Sequence, residues 1–265
     1  MSVLNASSVI KIYKGKGKSN STKALNGISL TIDNGEFVAI MGPSGSGKTT
    51  LLNILSGIDK LTSGDAEISG RSINVMTKNE LALFRRQHLG FVFQEFNLLD
   101  SLTLKENVML PMILDDKEPE DIETRTNEVM SMFNIADIVD KYPYNVSGGQ
   151  QQRTAISRAI INNPDMIYAD EPTGNLDSKS SNTVMSCFEK LNIINKNTIL
   201  IVTHDSFAAS YCNRVIFIKD GLVNMEIRKE GTRKDFFEKI LGCLSVMVGE
   251  DRKSTRLNSS HKTHL

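Results

Sequence analysis

Cysteine is scarce in this 265-residue chain: Cys187, Cys212 and Cys243 are odd in number and widely spaced. That spacing excludes a disulfide framework and a zinc knuckle, and it suits a reducing compartment. No stretch approaches the roughly 18 consecutive apolar residues of a membrane span. The N-terminus also lacks a basic region followed by an apolar signal core, so the expectation is a chain that neither crosses a membrane nor enters the secretory route by itself. Charge of one sign is missing as well, with 31 basic side chains against 31 acidic ones, which removes the electrostatic footprint of a nucleic-acid binder. What remains is the profile of a globular protein long enough to bury a core without disulfide staples.

Alternating apolar and polar residues over 9–13 and 28–32 predict half-buried strands of an antiparallel unit. The polar loop between them carries Lys14, Lys16, Lys18, Asn20 and Lys23. A nearly continuous apolar run over 36–41 suits a buried central strand, and the helix after it, through Leu51, Leu52, Ile54 and Leu55, is equally apolar. Thr77 with Glu80 and Thr103 with Glu106 form capping-box patterns on either side of a short strand at 89–93. Between 105 and 161 apolar residues recur at helical spacing (Val129, Met130, Met132, Phe133; Ala155, Ile156, Ala159, Ile160), which predicts an all-helical insert. Strands resume at 166–169, 198–202 and 214–218. Strands alternating with helices predict a mostly parallel sheet, with Cys187 in its core on the stripe Val184, Cys187, Phe188, Leu191.

Gly42, Pro43, Ser44, Gly45, Ser46, Gly47, Lys48 and Thr49 satisfy G-x-x-x-x-G-K-[ST] between a buried strand and a buried helix. The glycines let backbone N–H groups converge on phosphate oxygens at a helix N-terminus. Lys48 reaches the β- and γ-phosphates, the Thr49 hydroxyl ligates Mg²⁺, and Thr50 continues the helix start. The run Gly15-Lys16-Gly17-Lys18-Ser19 lacks the upstream glycine and the following apolar helix, and reads as a solvated loop. A phosphate loop needs an acidic anchor at the end of a neighbouring strand, which Met166-Ile167-Tyr168-Ala169-Asp170-Glu171 supplies. Asp170 is placed to hold Mg²⁺ through water and Glu171 to polarise the attacking water. The nearest match to a guanine-reading Asn-Lys-x-Asp element, Asn195-Lys196-Asn197-Thr198, lacks the aspartate, so ATP is favoured. Tyr13, at a strand end, offers a ring face to adenine.

The run Val146-Ser147-Gly148-Gly149-Gln150-Gln151-Gln152-Arg153 opens a helix. With it the sequence resembles the nucleotide-binding subunit of ATP-binding cassette (ABC) transporters, whose signature is LSGGQ at a helix start; Val146 stands in place of the leucine. The resemblance implies a P-loop α/β ATPase core with a mostly parallel sheet, an antiparallel β edge and a helical subdomain. It also implies a head-to-tail homodimer in which Ser147, Gly148, Gly149 and Gln150 of one subunit close over the ATP of the other. Gln94 matches the glutamine that contacts magnesium and relays movement to the membrane partner. His204 matches the switch histidine at the γ-phosphate, and Asp177 the loop that crosses the dimer interface.

The run 170–177, Asp-Glu-Pro-Thr-Gly-Asn-Leu-Asp, is similar to the group serving macrolide efflux, lipoprotein release and peptide-antibiotic transport. The runs 84–91, 97–100 and 208–212 are closer to the bacitracin-export type. That subfamily implies an integral membrane permease as partner, often a sensor histidine kinase, and a place on the cytoplasmic face of the membrane. The domain expected is 1–245, with a core of 1–94 and 162–245 and a helical subdomain over 95–161. The tail over 246–265, with His261 and His264, reads as disordered and non-native rather than as a metal site. The ATPase of a macrolide-efflux or lipoprotein-release transporter is the alternative, and a soluble ABC ATPase acting on DNA or the ribosome is the remote one. The latter would need a long coiled-coil or zinc insertion, or two cassettes, where this chain has one copy of each motif.

Overall fold

The computed structural model describes residues 1–15 and 21–260, with side-chain surroundings through 247. The loop over 16–20, with the second Gly-Lys-Ser run, and the histidines at 261 and 264 lie outside the described residues. In chain order the elements are β1 (Ser2–Lys14), β2 (Ser21–Asp33), β3 (Phe37–Met41), α1 (Lys48–Leu55), β4 (Ser63–Ile68), β5 (Arg71–Ser72), α2 (Lys78–His88), β6 (Leu89–Val92), α3 (Leu104–Ile113) and α4 (Pro119–Met132). They continue with α5 (Gly148–Ile160), β7 (Met166–Asp170), α6 (Ser178–Ile193), β8 (Thr198–Val202), α7 (Ser206–Ala209), β9 (Arg214–Lys219), β10 (Leu222–Arg228) and α8 (Arg233–Ser260).

Six strands in the order β10-β9-β3-β8-β7-β6 form the larger sheet; β9, β3, β8, β7 and β6 run parallel, and β10 pairs antiparallel at the edge. The antiparallel unit of β1 and β2 adds β4 and β5 to make a second sheet, ordered β2-β1-β4-β5. Because side chains alternate along a strand, β3 serves two cores at once. Phe37, Ala39 and Met41 face one cluster, with Phe188 and Ile156, while Val38 and Ile40 face the other, with Leu51, Leu55 and the antiparallel sheet. Burial on both faces is why this strand reads as an unbroken apolar run.

Among the described residues no strand lies between Val92 and Met166; the segment is helical. Both threonine caps form, with the Thr77 hydroxyl accepting from the Glu80 N–H and the Glu80 carboxylate accepting from the Thr77 N–H. The pair at Thr103 and Glu106 does the same. Cys187 is buried in the core, and burial pushes its thiol up to about 11. One expectation is corrected: residues 251–260, read as part of a disordered tail, continue α8 as helix. The anchored first part of the helix, with Phe236, Ile240 and Met247 buried, supplies the costly nucleus. Extension through Arg, Lys and Leu then meets no proline to stop it.

Candidate active site

The phosphate loop leaves β3 at Gly42 and enters α1 at Lys48. Gly47 has φ +101°, and a Cβ there would stand 2.6 Å from the Ala24 carbonyl oxygen, so only glycine lets the loop press against β2. The Ser46 carbonyl accepts from the Gly221 N–H, and the Gly221 carbonyl accepts from the Asn26 N–H, which pins the loop to the β9–β10 turn and to β2. Within the loop Ser46 N–H donates to the Pro43 carbonyl, while Pro43, Ser44 and Gly45 are exposed and Thr50 is half-buried. The Lys48 ammonium donates to the carbonyls of Gly42 and Pro43, each at 2.9 Å. Burial lowers its pKa, against the opposing pull of Glu171 and Asp170.

The strand β7 ends with Asp170 beside Thr49: the Thr49 hydroxyl donates to Asp170 Oδ1 at 3.5 Å. Burial, and then the like charge of Glu171, raises the Asp170 pKa. Glu171 takes a left-handed backbone conformation, φ +45°, uncommon for a residue with a side chain. Its carboxylate is held from two sides. Oε2 accepts from the Thr203 hydroxyl at 3.1 Å and from the His204 N–H at 3.4 Å, and Oε1 lies 2.9 Å from His204 Nδ1. The His204 side chain remains 73% exposed, leaving its other ring nitrogen accessible. The structure thus brings Lys48, Thr49, Asp170, Glu171 and His204 to one end of three adjacent parallel strands, the loop region where open α/β sheets take their ligands.

The other sequence candidates form hydrogen bonds of their own rather than with this cluster. Gln94 Nε2 donates to Asn175 Oδ1 at 3.2 Å, and Asn175 Nδ2 donates back to the Gln94 carbonyl at 3.1 Å, so the loop after β6 and the loop before α6 are tied by exchanged amide bonds. Ser147 caps α5 in a capping box with Gln150. A Cβ on Gly149 would meet Ser180 Oγ at 2.9 Å, so this glycine lets the start of α5 approach α6. Asp177 caps α6, accepting from the Ser180 N–H and hydroxyl. Tyr13, at the end of β1, donates its hydroxyl to Asp59 Oδ2. No sequence pattern gives Gln152 a role, yet its buried amide donates to the Pro172 carbonyl at 2.7 Å and reaches the Phe93 carbonyl at 3.4 Å. It therefore joins the α5 start, the exit of β7 and the Gln94 loop.

A phosphate loop feeding a buried helix, with a strand-end carboxylate beside it, makes this a P-loop ATPase. A profile described as ABC transporter matches residues 25–174. The chain is 51% identical over 250 residues to the ABC transporter ATP-binding protein YvcR of Bacillus subtilis, covering 94% of this chain and 96% of that one. It is 46% identical over 250 residues to the bacitracin export ATP-binding protein BceA of Halalkalibacterium halodurans, covering 94% and 98%. A solved dimer of the ATP-binding cassette MJ0796 of Methanocaldococcus jannaschii, in a post-hydrolysis state with ADP and Pi, is similar with a TM-score of 0.79 and 42% identity, covering 86% of this chain and 99% of that one. The chain belongs to the ABC transporter ATP-binding family, and its activity is the binding and hydrolysis of ATP for transport. Cassettes of this family dimerise and work with membrane permease subunits. Among the described residues no helix is long and apolar enough to cross a membrane.

Proposed function

We propose that this subunit powers a transporter that exports or senses peptide antibiotics of the bacitracin type. The observation that carries the reading is similarity along nearly the whole chain to a protein named for bacitracin export. Two copies meet head to tail, with Ser147 and Gly149 of one closing over the ATP held by Lys48 of the other. Tyr13 stacks on the adenine, and the N–H groups of 42–50 take the phosphates. The assembly sits on the cytoplasmic face of the membrane, docked to a permease through the Gln94 region and joined by a sensor histidine kinase.

Within this reading Glu171 takes the proton from the attacking water, since Thr203 and His204 hold its carboxylate at a fixed place. His204 positions Glu171 through Nδ1 and meets the γ-phosphate with its other nitrogen. The residues suit a magnesium nucleotide: Ser46 Oγ is buried without a partner inside the loop, and Thr49, Asp170 and Gln94 supply the oxygen donors the ion takes. When bound, Mg²⁺ neutralises charge on the phosphates.

The test is a gentle detergent pull-down of the Glu171→Gln protein with ATP from its native membrane. Recovery of a large many-span permease with an extracellular domain, together with a histidine kinase, is the expected result. A four-span permease would move the chain to macrolide efflux or lipoprotein release, and soluble partners alone would overturn the transporter reading.

A further inference from the structure

The end of β1 carries an arrangement that the phosphate chemistry does not use. Lys11 and Tyr13, two residues apart on one face of the strand, converge on a single carboxylate, Asp59, from the loop that follows α1. The Lys11 ammonium, on a residue only 8% exposed, donates to Asp59 Oδ1 at 2.7 Å and to the Lys60 carbonyl. The Tyr13 hydroxyl donates to Asp59 Oδ2 at 2.9 Å. The same ammonium sits 4.7 Å from the Tyr13 ring centroid, within cation–π range. The phenol is therefore fixed at its tip by the carboxylate and on one face by the buried cation. Tyr13 is nonetheless 42% exposed, so the other side of the ring faces outward.

The ladder relates this ring to the phosphates. Gly47 presses against Ala24 and Leu25 of β2; Leu25 pairs with Lys11, and Thr22 with Tyr13. Tyr13 thus lies two ladder positions, about 7 Å, along the sheet from the contact with the phosphate loop, across a register shift after Lys11. A nucleotide held at its phosphates by that loop brings its base over the sheet at such a remove.

We infer that Asp59 and Lys11 are positioning residues that hold Tyr13 as a one-faced platform for the adenine of ATP. This rests on the reading of Tyr13 as the adenine stack. The cation occupies the inner face, the base takes the outer one, and the carboxylate fixes the tilt of the ring by its hydroxyl. Neither Asp59 nor Lys11 touches phosphate. Their removal therefore weakens recognition of the base and leaves recognition of the polyphosphate intact.

The experiment compares calorimetric binding of MgATP and of magnesium tripolyphosphate, which has no base, to the full chain carrying Glu171→Gln. Tyr13→Phe keeps the Lys11–Asp59 pair and removes only the hydroxyl, so it tests the geometry without threatening the fold. Tyr13→Phe and Asp59→Ala should each weaken MgATP about three- to tenfold, the scale of one lost hydrogen bond, with tripolyphosphate unchanged. Tyr13→Ala should weaken it about five- to a hundredfold, the scale of a lost base stack. Asp59→Ala should add little on top of Tyr13→Phe, because both act through the same ring. If Tyr13→Ala loses MgATP selectively while Tyr13→Phe and Asp59→Ala do not, the ring is held without the carboxylate and the inference is wrong. An Asp59→Ala effect that keeps its full size in Tyr13→Phe overturns it too. If Tyr13→Ala leaves the MgATP to tripolyphosphate ratio unchanged, the adenine reading itself fails, and the inference with it.

Discussion

Replacing Glu171 by glutamine isolates basicity from geometry. The carboxylate accepts at Oε2 from the Thr203 hydroxyl and the His204 N–H, and approaches His204 Nδ1 at Oε1. A glutamine of the same length can keep its carbonyl toward Thr203 and turn its NH₂ toward Nδ1, provided the imidazole carries its proton on the other nitrogen. No large polar group is stranded, so stability should change by less than about 1 kcal/mol. The ability to take a proton from water is lost, and general-base contributions run to roughly 10²–10⁴ in rate, about 3–5 kcal/mol of barrier. Phosphate release at saturating MgATP should fall by that factor. Nucleotide binding should persist, and light scattering should show a dimer that accumulates with ATP because it no longer reopens through hydrolysis. Turnover equal to wild type would sink the assignment of Glu171 as base. Loss of ATP binding would show that the residue acts on the nucleotide rather than on the water.

Lys48→Ala should weaken MgATP binding about ten- to a hundredfold, as expected for lost charge-assisted hydrogen bonds, with the melting curve little changed; equilibrium dialysis reads the affinity. Asp170 binds its proton more tightly folded than an ordinary carboxylate, because burial and then Glu171 disfavour its charge. The folded chain therefore holds more protons than the unfolded one between the ordinary value of 3.8 and the raised one, and stability falls as pH rises across that window. Asp170→Asn, neutral at every pH, should raise the melting temperature without nucleotide at pH 7 and flatten that fall, while abolishing turnover; a lowered melting temperature at pH 7 would contradict it. Gln152→Leu strands the Pro172 carbonyl and should cost about 1–3 kcal/mol in urea unfolding. It should also lower turnover with ATP affinity retained.

What was legible in the sequence is what had to be contiguous. The phosphate loop, the Asp170-Glu171 pair and the Ser147 helix start are each built from residues adjacent in the chain, so a linear pattern carries them. The buried strands β3, β7 and β8 announced themselves by unbroken apolar runs. The strands β4, β5 and β10 did not, because each shows solvent one face or both and β10 has no fully buried residue. Contacts across long separations were also silent: the exchanged amides of Gln94 and Asn175, the Gln152 bond to Pro172, and the meeting of Lys11, Tyr13 and Asp59 link residues that share no local pattern. The continuation of α8 past 250 was misread because composition alone weighs local polarity and ignores a helix already nucleated upstream.

The Gln152 amide has a mechanical consequence. Its bond to the Pro172 carbonyl sits near the N-terminal end of α5, one residue from Glu171, while Ile160 lies eight residues, about 12 Å, further along the helix. The far end is held as well: Ile156, Ala159 and Ile160 are buried in the cluster that holds Phe37 and Phe188, and a Cβ on Gly90 of β6 would stand 2.4 Å from the Ala159 carbonyl oxygen. Gripped at both ends, α5 acts as a strut that passes a push on one end to the other instead of swinging about either.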